Sequence, residues 1–192
     1  TANTTINVTN IDDSGATITA GTGTSTTAVV INIDGTTATT DAATIKAAGS
    51  VTLDASAGTT ETVDNLNLSG NGAAVTYTLS TPDAGAATTK FTLSGDQNVT
   101  LVSTAAALTL TTVTDTTTAG STKVKLSTVA TSDLSKVAAD AIEFAGTAAA
   151  AQTVTLATGA NVSIAKDQSN GIAIAGKAAD ASLTLSTADD TA

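Results

Sequence analysis

Along most of the chain a pair of apolar side chains flanks one polar or small residue. The pattern runs through Ile6-Asn7-Val8, Ile18-Thr19-Ala20, Ile31-Asn32-Ile33, Val51-Thr52-Leu53, Leu66-Asn67-Leu68, Val75-Thr76-Tyr77 and Phe91-Thr92-Leu93. It continues through Val99-Thr100-Leu101, Leu108-Thr109-Leu110, Val124-Lys125-Leu126, Ile142-Glu143-Phe144, Val154-Thr155-Leu156, Val162-Ser163-Ile164, Ile172-Ala173-Ile174 and Leu183-Thr184-Leu185. A period of two places alternate side chains on opposite faces of an extended segment, so each unit predicts a strand with one buried face. Neighbouring units begin roughly 8 to 20 residues apart, with Gly, Asp, Asn, Ser or Thr between them, the spacing of an all-β protein built from many short strands. Some thirty inward side chains result, and burying each large one is worth about 1.5–3 kcal/mol before chain entropy is subtracted.

The inward residues are almost all Ile, Leu and Val. Tyr77, Phe91 and Phe144, the only aromatics, fall at apolar positions of the pattern and read as core. A core of small aliphatic side chains is narrow, which predicts a β-solenoid whose coils stack those side chains in ladders. A β-sandwich is the alternative, favoured by two hairpin signals, Asn71-Gly72 and Asn170-Gly171, each between apolar units. One stretch departs from the alternation. Ser132 precedes Leu134, Val137, Ala138 and Ala141 at helical spacing, with Asp133 suited to a helix N-terminus, which predicts a short helix over about 133–140. That helix would separate a β-rich domain, 1–131, from a continuation or second β-rich segment, 132–192.

Composition narrows the chemistry. Thr supplies close to a quarter of the 192 residues, and β-branched side chains favour strands. Cys, Met, His and Trp are absent, and all seven basic residues are Lys. Without Cys there are no disulfides or thiolate metal sites, and without His the usual general base is missing. Adjacent carboxylates occur at Asp12-Asp13 and Asp189-Asp190, but consecutive strand residues point to opposite faces and do not form a catalytic pair. A lyase on a β-helix would depend on a basic residue, typically Arg, and no Arg is present. The expectation is that the chain is not an enzyme.

The formal net charge of -10 disfavours nucleic acid and anionic lipid as partners. Charged residues make up 12% and hydrophobic ones 41%, too apolar a balance for a disordered chain. Apolar runs such as Ala105–Leu108 and Ala148–Ala151 fall far short of the ~20 residues a membrane helix needs, so no membrane insertion is expected. Position 1 is Thr, and no basic segment leads into an apolar one, which predicts a processed chain or a fragment.

Calcium is the cofactor that the turns suggest. A hard cation takes carboxylate and carbonyl oxygens from tight, Gly-bearing turns, and the densest cluster is Asn10-Ile11-Asp12-Asp13-Ser14-Gly15. Asp34-Gly35, Gly95-Asp96-Gln97-Asn98 and Asp167-Gln168-Ser169-Asn170-Gly171 are sparser versions. The candidate ligands are Asn10, Asp12 and Asp13, followed by Asp34 and Asp96. The competing reading is that Asp and Asn occupy turns because their side chains bond local backbone.

Aliphatic-Thr-aliphatic strands, Asp/Gly turns, a Thr/Ala/Gly bias, an acidic pI and no Cys resemble the surface-layer and RTX-related proteins of Gram-negative bacteria. The resemblance spans the whole chain as a style of sequence. It implies type I secretion, an extracellular place at the cell surface, calcium, and assembly of identical copies into a lattice or filament, with a cell-surface polysaccharide as a further partner. The nonapeptide of RTX coils does not carry over: Gly70-Asn71-Gly72 is followed by Ala74, and Gly21-Thr22-Gly23 by Ser25, where a ligand Asp should stand. Repetitive adhesins with bacterial Ig-like modules share the composition, and Asp12-Asp13-Ser14-Gly15-Ala16-Thr17-Ile18 would suit one of their turn-strand junctions. The expected function is therefore a structural protomer of a bacterial surface layer. The alternatives are a segment of a secreted adhesin of Ig-like sandwich type and, third, a polysaccharide-active enzyme on a β-helix.

Overall fold

The computed structural model describes residues 4–12, 15–21, 29–36, 40–54, 63–80, 90–109, 111–128, 130–145, 152–157, 160–165, 172–176 and 182–186, with backbone alone beyond Val162. Nearly all of it is strand: β1 (Thr4–Val8), β2 (Ala16–Ala20), β3 (Val29–Ile33), β4 (Ala42–Asp54), β5 (Asn65–Leu79), β6 (Lys90–Gly95) and β7 (Val99–Thr104). A single helical turn, α1 (Ala105–Leu108), follows. The chain then resumes with β8 (Thr112–Thr117), β9 (Thr122–Thr128), β10 (Ser132–Leu134), β11 (Ala141–Phe144), β12 (Gln152–Leu156), β13 (Asn161–Ala165), β14 (Ile172–Gly176) and β15 (Ser182–Ser186).

Every strand pairing among the described residues is parallel. The chain is a β-solenoid, because a sandwich of hairpins would need antiparallel neighbours. It alternates between two walls. The first wall stacks β1, β3, the second half of β4, the second half of β5, β7, β9, β11, β13 and β15. The second wall stacks β2, the first half of β4, the first half of β5, β6 and β8. Later in the chain β10, β12 and β14 form a short third sheet. A coil advances the chain by 18 residues at the tightest, from Val124 to its partner Ile142, and by 27 at the loosest, from Ala16 to Ala43. The first wall crosses position 131 without interruption, β9 pairing directly with β11.

The aliphatic units stack as ladders. On the first wall Val51, Tyr77, Leu101, Val124, Ile142 and Val162 lie in register, and all are buried. On the second, Ala43, Leu66, Phe91 and Val113 do the same. The core is thin enough for one ring to bridge it: the Tyr77 phenol, on the first wall, lies 2.9 Å from the carbonyl oxygens of both Ile45 and Ser69 on the second.

One rung breaks the ladder's chemistry. Ser103 occupies an inward position in register with Leu126, which pairs in turn with Phe144, and its hydroxyl is buried without a hydrogen-bond partner. Such a group carries its desolvation cost uncompensated, so Ser103→Ala should raise stability by about 1 kcal/mol. A melt showing that Ser103→Ala loses that amount instead would mean the hydroxyl is bonded.

Three local expectations are corrected. Residues 133–140 are not helical: β10 covers Ser132–Leu134, a turn follows, and Val137 forms a bridge to Val113. Leu134 and Val137 are both buried, so their spacing of three arises from a strand followed by a turn. Asp133 accepts from the N–H of Ser135, a local turn bond in place of a helix cap. The helical turn falls instead at Ala105–Leu108, where the Thr104 side chain accepts from the N–H of Ala107, so the first part of the Leu108-Thr109-Leu110 unit is not strand. Asn71-Gly72 is no hairpin. It lies inside β5 where that strand bends from the second wall to the first, with Gly72 at φ 73°. The other hairpin signal, Asn170-Gly171, lies outside the described residues.

Candidate functional site

The turn that carries Asn10 and Asp12 leads from the first wall to the second. Ile11 points inward and is buried, which turns its neighbours outward, and Asn10 takes the left-handed φ of 57° that Asn tolerates. Val8 O accepts from the N–H of Asp34 at 2.9 Å, and Asp34 O accepts from the N–H of Ile11 at 3.0 Å. Asp12 O closes the turn by accepting from the N–H of Gly15 at 3.1 Å. Asn10, Asp12 and Asp34 are thus brought to one corner by backbone bonds between successive coils. Asp13 lies outside the described residues. Asp96 is elsewhere, in the turn between β6 and β7 that leads from the second wall to the first. Among the described residues no group of three or more carboxylates is gathered closely enough to hold a metal ion.

Other carboxylates, not singled out by the sequence, hold backbone. Asp41 is fully buried and accepts from both the N–H and the hydroxyl of Thr36. Its own N–H donates to Asp64 Oδ2 at 3.2 Å, its carbonyl accepts from Asn65, and Asp64 O accepts from Lys90 N one coil on. On the opposite edge Thr122 joins two more: its hydroxyl donates to Asp115 Oδ2 at 2.7 Å and accepts from Asp140 N at 2.9 Å, while Asp140 Oδ2 accepts from Thr122 N at 2.8 Å. The Asp41–Asp64 and Thr122–Asp140 links became legible only once the coil offset was known, because these partners lie about one coil apart in sequence.

Partial burial of the Asp115 carboxyl acts to raise its pKa, but hydrogen bonds from Thr122 and from the N–H and hydroxyl of Thr117 outweigh it and hold the group below the ordinary Asp value. Glu143 is likewise held low: burial opposes, and bonds from Lys123 at 2.9 Å and Lys125 at 3.0 Å prevail. A carboxylate depressed in the folded state contributes stability that is complete above its unfolded pKa of about 4 and is lost as pH falls through the folded value. Melting temperature should therefore decline below about pH 4, with a shallower decline in Asp115→Asn. An identical acid profile for that variant would show that Asp115 contributes nothing to it.

The outer faces of the walls are mostly hydroxyl and amide. On the second wall Thr17, Thr44, Asn67, Thr92 and Thr114 form one outward ladder, and Ala42, Asn65, Lys90 and Thr112 another. Because Gly15, Ala16 and Ala42 are short and Asn65 and Lys90 are long, the surface steps down between coils. A shallow groove of about 310 Å³ results. No helix among the described residues is long and apolar enough to cross a membrane.

No protein-family model matches the chain, and neither the curated proteins nor the solved structures contain a match. The functional reading rests on the geometry of the molecule itself.

Proposed function

We propose that the chain is a structural protomer of an extracellular bacterial surface layer that assembles with copies of itself into a two-dimensional lattice, and that it is not an enzyme. The observation that carries this reading is where the carboxylates go: Asp41, Asp64, Asp115 and Asp140 are each tied into backbone bonds between or within coils. They serve rigidity. Around them stand two regular walls of Thr, Ser and Asn, suited to repeated lateral contact. Calcium belongs to the same proposal, with the corner of Asn10, Asp12 and Asp34 as its first place, Asp13 as a further ligand there, and Asp96 as a ligand at a separate, lesser place. Copies with a net charge of -10 repel one another, and monovalent salt with a Debye length of ~8 Å relieves that only in part. Extracellular calcium sites of about 10⁻⁴–10⁻³ M affinity would fill only after export.

Negative-stain microscopy of the purified chain with and without a chelator tests both parts. Ordered sheets that disperse on chelation are expected. Sheets unaffected by chelation remove calcium from the proposal, and separate rods under every condition favour the adhesin reading instead.

A further inference from the structure

The outer face of the second wall opposes the charge of the chain that carries it. The chain holds 17 acidic residues against seven Lys. Yet no Asp or Glu occupies an outward position on that wall, and its only outward charges are Lys46 and Lys90. Both are exposed, and neither is ion-paired among the described residues. Lys90 lines the groove, beside the amides of Asn65 and Asn67. Two connections that lead into the first wall have the opposite character. The β6–β7 corner projects Asp96 and the β10–β11 connection projects Asp140, both exposed, with Lys136 the one Lys among the described residues of the two.

We propose that the groove of the second wall receives the acidic corner ridge of a second copy, with Lys46 and Lys90 of one molecule facing Asp96 and Asp140 of the next. The inference rests on the proposed self-assembly and says where the copies touch. Two different patches meet, so the contact is heterologous and repeats without closing, which produces open rows. The groove is polar, so the ion pairs set register and suppress wrong contacts more than they supply affinity. An anionic polysaccharide would meet the same two lysines, but it would also meet the repulsion of the whole acidic chain. A second copy meets that repulsion too and offsets it by placing exposed corner carboxylates on the two lysines.

The test uses the full chain, with the critical concentration for assembly read by light scattering and order read by negative stain. Lys46→Glu with Lys90→Glu should raise the critical concentration on the order of tenfold, and Asp96→Lys should act in the same direction. Combining Lys90→Glu with Asp96→Lys should restore assembly toward the wild-type value. Asp140 is left intact because it also accepts the N–H of Thr122. Unchanged circular dichroism shows that each variant folds. If the wild type assembles and the lysine variants assemble at the same concentration, the contact lies elsewhere and the surface-layer reading survives. A wild type that never assembles overturns both. Loss of retention on immobilised polygalacturonate by the lysine variants, with assembly unchanged, would overturn the proposal in favour of a glycan.

Discussion

Replacing Tyr77 by alanine should lower stability by about 3–5 kcal/mol, the range for removing a large buried ring. Tyr77 is completely buried on the first wall, between Val51 and Leu101 of the neighbouring coils. Its hydroxyl lies 2.9 Å from the carbonyls of Ile45 and Ser69 and has one proton to share between them. Burial holds that phenol neutral far above its ordinary pKa, so it remains a donor across the accessible pH range. The ring therefore pins the first wall to the second where β4 and β5 bend. Tyr77→Phe keeps the packing and loses only the hydroxyl bond, at a cost of about 1 kcal/mol. Thermal melts of the two variants separate packing from polar anchoring. In a solenoid each coil contacts only its neighbours, so faster amide exchange should concentrate in residues 45–49 and 69–72. A Tyr77→Ala melt within about 1 kcal/mol of the wild type would show that the ring does not span the core.

Tyr77 also marks how much of the fold was legible in the sequence. It stands at an apolar place in an alternating unit, and the alternation alone assigned it to the core. Fourteen of the fifteen units fall in strands, because a half-buried strand in water leaves a direct trace of period two. Two strands left no such trace. In β8 one inward position is Asp115, in register with Leu93, so only Val113 signals burial. In β10 the inward Ser132 is buried although it is polar. The candidate site was less legible still. Asn10, Asp12 and Asp34 share a corner because Ile11 bonds to Asp34 of the following coil, and no local rule relates positions that far apart. Asp41 and Asp64 escaped notice for the same reason. Their residue type suggested a turn, but what they hold depends on a coil length that varies from 18 to 27 residues.

That varying length makes the corners the sensitive part of the molecule, and Gly120→Ala should be the sharpest probe of them. A Cβ at Gly120 would overlap the carbonyl O and C of Gln97 and lie 3.0 Å from Asn98 N, all of them backbone atoms. No rotamer change relieves such a contact, so the corner between β8 and β9 must move away from the corner between β6 and β7. The movement stretches two bonds that join them, from Ser121 N–H to Asn98 Oδ1 at 2.9 Å and from Val99 N–H to Ser121 O at 3.0 Å. The expected loss is about 3 kcal/mol, at the upper end for overpacking, because the obstruction is main chain and not side chain. Gly72 supplies the control. Its φ of 73° strains any L residue, but a Cβ there meets nothing within 4 Å. Gly72→Ala should therefore cost only the left-handed penalty of about 1–2 kcal/mol. For a domain of this size each kcal/mol lowers the melting temperature by roughly 2–4 °C, so the two variants are separable by calorimetry. If Gly120→Ala melts no lower than Gly72→Ala, the two corners are not in contact, and the close stacking of coils along that edge is wrong.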